Sequence, residues 1–427
     1  MILVDKALAE RQNSGKPIRV AIVGAGYSGR NVAYQIIKSF PAMRLVAISN
    51  RTLQTALDVY ASAGVIDAHV VDSRKALAVA IAEQRFAVTD DSSLICETDG
   101  IDAIIEATGT IEFAATVVMK TIKNGKHIVV LNCELDATLG PILKVYADRA
   151  SVIYSNSDGD EPGVAMNMIR FVTSIGLKPV VAGNLKGLYD PYRTPETQRG
   201  FAERAHQKPT TMTSFADGTK LSMELTVLGN ATGFGVGKRG MYGPGLKHVN
   251  ESGIFYLDKL RDEGMVDYLV GAEPGNGAFV LGYSKDPVKA AYLKYLKMGE
   301  GPLYVFYTPF HLPQLEIPLT VARAVLFNDA TVAPIGKPSC DAVTMAKRDL
   351  QAGEILDGMG GFTCYALTEN YGVSRRENAL PIGISEGCRL KKDISKDRLV
   401  TYEDVELPKD RLCDKLRQEQ HDHFSRN

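Results

Sequence analysis

From Ile18 to Val23 the chain is apolar at every position but Arg19, the pattern of a strand buried on both faces of a parallel sheet. Arg30 to Phe40 then reads as a helix, and Arg44 to Ile48 as a second strand. Further buried strands are predicted from Ile101, ending in the small-residue turn Ala107 to Thr110, and at His127 to Leu131, Ser151 to Ser155 and Pro179 to Gly183. A helix is predicted to begin near Val164. Strands alternating with helices predict an α/β fold around a parallel sheet. The opening MILVDKALAERQNSGK reads as an amphipathic helix, and Tyr60 to Glu97 as an enlarged crossover without chemistry. From about Pro338 the pattern changes to short strands and turns. The charged end, KDRLCDKLRQEQHDHFSRN, is expected to fray.

Composition sharpens this. A chain of 427 residues, 45% of them hydrophobic, is long enough for two or three domains. The pattern places them at 1–155, 156–335 and 336–427: an N-terminal Rossmann domain, a central α+β domain for substrate binding and dimerisation, and a small all-β C-terminal domain. With 49 basic and 50 acidic residues the net charge is -1, which leaves no field to attract nucleic acid or an anionic membrane. No apolar run reaches the length of a membrane span and no signal-peptide pattern opens the chain, so a cytoplasmic protein is expected. Six scattered cysteines without a CxxC pair disfavour a zinc site and a disulfide framework.

Between the first strand and first helix stands Gly24-Ala25-Gly26-Tyr27-Ser28-Gly29, a GxGxxG in the context that binds a dinucleotide. Gly24 permits the tight turn, Gly26 lets backbone approach a pyrophosphate, and Gly29 lets helix and strand pack closely. Tyr27 and Ser28 fall at the helix N-terminus, which faces the anion. The second strand runs out into Ser49-Asn50-Arg51-Thr52, where no carboxylate repels a ribose phosphate and Arg51 can grip one. Asn50 and Arg51 therefore favour NADP, with NAD the alternative. Thr108, Gly109, Asn132 and Glu134 follow later strand ends, where an open parallel sheet borders the nicotinamide.

Two further segments carry candidate chemistry. Asp158, Asp160 and Glu161 precede a helix, and three carboxylates in four positions can chelate a divalent cation or bind substrate hydroxyls; equally, Asp160 can cap the helix while the others are solvated. Lys186, at a strand end, and Lys220, one helical turn from Glu224 and preceded by Asp217 as a cap, can stabilise an oxygen that gains charge as hydride moves. The pair Lys220 and Glu224 can also be an ordinary surface ion pair. His248 and His311 are the histidines to inspect first, outside the primary set.

The succession of GAGYSG, NCELD (132–136), SDGDEPG (157–163), SFADGTKLSMELTVLGNATG (214–233) and AKRDLQAGEILDGMGG (346–361) resembles homoserine-dehydrogenase-like oxidoreductases that end in a SAF domain, a small β-clip. One branch of that family is the reductoisomerase-like enzyme that makes methylerythritol phosphate from deoxyxylulose phosphate. The resemblance implies an NAD(P)-dependent oxidoreductase or reductoisomerase acting on a small polyhydroxylated, phosphorylated or unphosphorylated carbonyl compound, in a homo-oligomer. It also implies that an Asp and a Lys of the 214–233 segment face substrate, here Asp217 and Lys220, with Lys220 as electrophile or proton donor and Glu224 or Asp217 orienting it. Homoserine dehydrogenase proper and a dinucleotide-binding sensor are the rival readings.

Overall fold

The computed structural model describes residues 4–425. The chain divides into two compact units. One holds the chain up to Asp160, with Leu312–Ala333 and the segment from Lys415 on; the other holds Glu161–His311 and Pro334–Asp414. The segments expected as central and C-terminal domains thus share one unit, except that residues 156–160 stay with the first and Leu312–Ala333 and the segment from Lys415 on rejoin it.

In the first unit seven parallel strands, β1 (Ile18–Val23), β2 (Met43–Ser49), β3 (His69–Val70), β4 (Ala87–Thr89), β5 (Ala103–Glu106), β6 (His127–Val130) and β7 (Tyr154–Asn156), lie in the order β3-β4-β2-β1-β5-β6-β7. This is a Rossmann-type sheet. Its central strands are buried on both faces, as their apolar runs require, and β1 is interrupted only at the half-buried Arg19. Helices Tyr27–Ser39 and Pro313–Phe327 cover one face, where Val32, Ala33, Ile36, Ile317 and Val321 join Val20 and Ile22 in a single core. The stretch from Tyr60 to Glu97 is more than a crossover, because β3 and β4 within it extend the sheet. As far as Ser425 the charged end is not frayed. Leu412–Ser425 is a helix, and Arg417, Gln420, His421 and Phe424 are buried.

In the second unit β8 (Lys178–Lys186), β9 (Met265–Val270), β10 (Ala278–Tyr283) and β11 (Leu303–Thr308) form a mixed sheet in the order β11-β10-β8-β9, with β8 parallel to β9 and antiparallel to β10. The Pro179–Gly183 strand was expected among the strands of the dinucleotide-binding sheet; it belongs instead to this second sheet. Strand alternation puts Ala182, Val266 and Val280 against helices Glu161–Ser174 and Thr219–Thr232, while Val181, Leu185, Leu269 and Phe279 pack on the other face around Tyr256. A two-stranded antiparallel sheet of β12 (Cys340–Ala346) and β13 (Cys364–Asn370) follows, then the short pair β14 (Arg389–Leu390) and β15 (Val405–Glu406). These strands are tied to helix Thr219–Thr232, where Ser222 Oγ donates to Ala366 O at 2.9 Å and Thr368 Oγ1 donates to Ser222 O at 3.1 Å.

All six cysteines are buried with free thiols. Among the described residues no helix is long and apolar enough to cross a membrane.

Candidate functional site

The glycine loop between β1 and helix Tyr27–Ser39 has the shape its sequence predicts. Gly24 has φ +105°, and a Cβ there would lie 2.8 Å from Ala107 O on the turn after β5. A Cβ on Gly29 would overlap the carbonyl of Gly24, so the helix packs on the loop with no room for a side chain. A Cβ on Gly26 would meet nothing within 4 Å. Open space above the middle glycine, at the N-terminus of a 13-residue helix, fits a pyrophosphate held by backbone N–H groups. Tyr27 and Arg51 are exposed, and Ser28 Oγ accepts from Gln314 Nε2 at 3.4 Å. Asn50 has a different task from the one expected. Its Oδ1 accepts from Ala25 N at 3.1 Å and its Nδ2 donates to Thr52 O at 2.9 Å, so its amide braces the loop.

At the next strand ends the polar residues are knitted together. Thr108 N, at 2.8 Å, and Thr108 Oγ1 both donate to Glu106 Oε1. Asn132 Nδ2 donates to Glu106 Oε2 at 2.9 Å and to Thr110 O at 2.8 Å, while its Oδ1 accepts from Leu135 N at 3.0 Å and caps helix Cys133–Arg149. Both ends of the Asn132 amide are thus engaged within the protein. Gly109 has φ +67° with open space beside it, and Glu134 is half-buried in the first turn of the helix. The buried Glu106 is absent from the predicted set. Its signal in the sequence was a carboxylate closing an apolar strand.

The acidic trio does not assemble as a chelate. Asp158 is taken by Arg323, whose Nη1 lies 2.7 Å from Oδ1, and by Thr331 Oγ1 at 2.5 Å, and its backbone N–H donates to Thr320 Oγ1 at 2.9 Å. Asp160 stands just before helix Glu161–Ser174, where a cap belongs. Glu161 is held by Lys186, with 3.0 Å between Nζ and Oε1. A carboxylate already paired with a buried cation is a poor metal ligand, so the chelate reading is withdrawn for this trio.

That last pair opens the densest cluster of the second unit. Lys186 closes β8 and places Nζ between two buried carboxylates, 3.0 Å from Glu161 Oε1 and 3.5 Å from Glu224 Oε2. Asn184, two residues earlier on the same face of β8, donates from Nδ2 to Glu224 Oε2 at 2.7 Å. Lys220 Nζ lies 3.9 Å from Glu224 Oε1, one helical turn away, and His311 Nε2 lies 3.6 Å from Glu161 Oε2. Both carboxylates are under 5% exposed, which makes Lys220 and Glu224 part of a buried network and not a surface pair. Burial raises the pKa of Glu161, but the charges of Lys186 and His311 outweigh it and hold the group at about 2. Burial lowers the pKa of Lys186, and its two carboxylates overcome that and push it above its ordinary value. Lys186 is therefore a permanent cation.

Asp217 lies outside this cluster. It accepts Lys347 Nζ at 2.8 Å and Thr219 N at 2.8 Å; Lys347 in turn donates to Arg193 O and Gly361 O, both at 2.8 Å. Asp217, Thr219 and Lys347 are buried, so Asp217 fastens the start of helix Thr219–Thr232 to the β12 and β13 region. Gly218, not Asp217, occupies the capping position of helix Thr219–Thr232. His248 caps a short 3₁₀ turn through Asn250 N at 3.1 Å. Asn184 and His311 complete the cluster without belonging to the predicted primary set.

Residues 18–130 match a family model described as an oxidoreductase family with an NAD-binding Rossmann fold. Residues 159–317 match the catalytic domain of oxidoreductase DRL, a span containing every member of the Lys186 cluster. Two segments of the chain thus match oxidoreductase models, one of them an NAD-binding Rossmann fold. No curated protein sequence matches it. Among solved structures it is similar to a putative NADPH-dependent oxidoreductase from Desulfitobacterium hafniense, with 14% identity over 74% of this chain and 89% of that one and a TM-score of 0.40. A scyllo-inositol dehydrogenase from Lactobacillus casei has 14% identity over 68% of this chain and 76% of that one, with a TM-score of 0.37. A biliverdin reductase from Synechocystis has 16% identity and a TM-score of 0.29 over 41% of this chain, and the match spans 48% of that reductase.

Proposed function

We propose that this oxidoreductase moves hydride between NADP and a carbonyl or CH–OH carbon of a small polyhydroxylated compound, reductoisomerase-like substrates included. The observation that carries the reading is the buried gathering of Lys186, Lys220, Glu161, Glu224, Asn184 and His311 in the segment that matches an oxidoreductase catalytic domain. Gly24, Gly26, Gly29, Arg51 and the loops after β5 and β6 would hold the dinucleotide, which supplies or accepts hydride when bound.

Lys186 holds the reacting oxygen by charge alone, since its carboxylate neighbours prevent it from giving up a proton. Lys220 is the second cation at that oxygen. Glu161 and Glu224 fix the two ammonium groups and offset their charge, so the site binds an alkoxide-like oxygen without accumulating excess positive charge. His311 sits 3.6 Å from the Glu161 carboxylate, which can orient its ring, and an imidazole can both accept and donate a proton, so it carries the proton. The β12 to β15 region is assigned as the SAF-like module.

A screen of phosphorylated ketoses, sugar acids, polyols and homoserine against NADPH and NADP tests the reading, using wild type and Lys186→Ala. Turnover of a hydroxylated carbonyl compound that Lys186→Ala loses is the expected result. Turnover of homoserine alone, or an unaffected variant, would overturn it.

A further inference from the structure

We propose that Glu106 selects the redox state of the bound dinucleotide: its buried carboxylate braces the loops after β5 and β6 and favours the oxidised, positively charged nicotinamide over the reduced, neutral one. The inference rests on the Rossmann reading of the first unit and goes beyond it by giving one residue of the sheet an electrostatic task.

Glu106 is the last residue of β5 and is fully buried. Three donors converge on it, Thr108 N and Oγ1 on one oxygen and Asn132 Nδ2 on the other. The same Asn132 amide ties Thr110 O and caps the next helix, so one carboxylate fixes the loops at two adjacent strand ends. Among the described residues it forms no ion pair. The charged group facing it is Glu134, of like sign, from the first turn of helix Cys133–Arg149; Tyr154 on β7 also feels its charge. Burial pushes the pKa of Glu106 up to about 6, with Thr108 and Asn132 pulling it back, so the group is ionised above neutrality.

An uncompensated anion in a low-dielectric interior gains by the approach of any cation. Ligands of an open parallel sheet bind outside the carboxyl ends of its strands, which is where Glu106 stands. The oxidised ring brings one positive charge that the reduced ring lacks.

Calorimetry on the full chain with NADP and with NADPH, at pH 5 and pH 8, tests this. Taking the ratio of the two dissociation constants cancels the titration of phosphates, which both forms share. In wild type the preference for NADP over NADPH is expected to rise on the order of tenfold as Glu106 ionises between the two pH values. In Glu106→Gln the ratio should be flat with pH, whereas lost bracing alone would weaken both forms together and leave the ratio unmoved. A wild-type ratio independent of pH overturns the proposal, and needs no variant to fold. Binding without redox bias removes the proposal alone; no binding of either form to wild type removes the Rossmann reading with it.

Discussion

Lys186 shows how much one side chain can hold. Its Nζ stands 3.0 and 3.5 Å from two buried carboxylates, nearer to them than His311 at 3.6 Å or Lys220 at 3.9 Å, so its removal costs more than a surface ion pair would. Lys186→Ala is expected to abolish turnover and to lower stability by roughly 3–5 kcal/mol in urea titrations, because the charges left behind lose their compensation. The pH dependence has a definite sign. Glu161 has a folded pKa of about 2, below its ordinary 4.5, so its contribution is full above pH 4.5 and is lost as the pH falls towards 2. Glu106 and Asp136, both raised to about 6, act in the opposite direction: their burial favours the protonated form, and stability falls as the pH rises through 6. Thermal melts across pH 2 to 8 should show both limbs, with Glu161→Gln flattening the acid one. Lys186, Lys220 and Glu224 were legible as candidates because they lie near strand and helix ends. His311 stood out only as a histidine to inspect and Asn184 not at all, since the partners that give them meaning are 150 and 40 residues away in sequence.

At the scale of elements, the glycine loop separates two substitutions by the space each would meet, in line with the different roles its sequence predicts. Gly29→Ala drives a methyl into the Gly24 carbonyl and is expected to destabilise the unit. Gly26→Val points into open space and should leave the fold intact while abolishing dinucleotide binding, as NADPH fluorescence would report. A second case concerns helix Cys133–Arg149, which contains Pro141. Ile142 N donates to Gln420 Oε1 at 3.2 Å, and Thr138 O accepts from Arg417 Nη1 at 3.0 Å, so side chains of the last helix serve two backbone groups that flank the proline. Truncation before Lys415 is expected to lower the melting temperature, and Arg417→Ala to cost about 1–3 kcal/mol through an unsatisfied carbonyl. A charged terminal run reads as a fraying tail because composition says nothing of backbone groups waiting elsewhere.

At the scale of the whole molecule, cofactor choice and architecture meet in the first unit. No acidic side chain closes β2, and with Asn50 committed to the loop, the proposed preference for NADP over NAD rests on Arg51. Calorimetry should find tighter NADP than NAD binding, and Arg51→Ala should bring the two together. In the second unit, Asp217→Asn weakens a buried bond to Lys347 and should reduce stability more than chemistry, contrary to a direct role at substrate.

The local code was sufficient for β1, the glycine loop and the helix after it, because hydrophobic period and glycine sterics act over a few residues. It also marked the polar residues at strand ends. It did not distinguish which sheet β8 would join, nor that β3 and β4 would extend the first, since strand partners are chosen by long-range hydrogen bonding between runs that look alike in isolation. The fate of each charge was likewise a tertiary matter. Asp158, Asp160 and Glu161 are nearly adjacent in sequence and suggested a shared ion, yet Asp158 pairs with Arg323 and Glu161 with Lys186, because a buried carboxylate goes to whichever cation the fold delivers, and that cation comes from a distant segment.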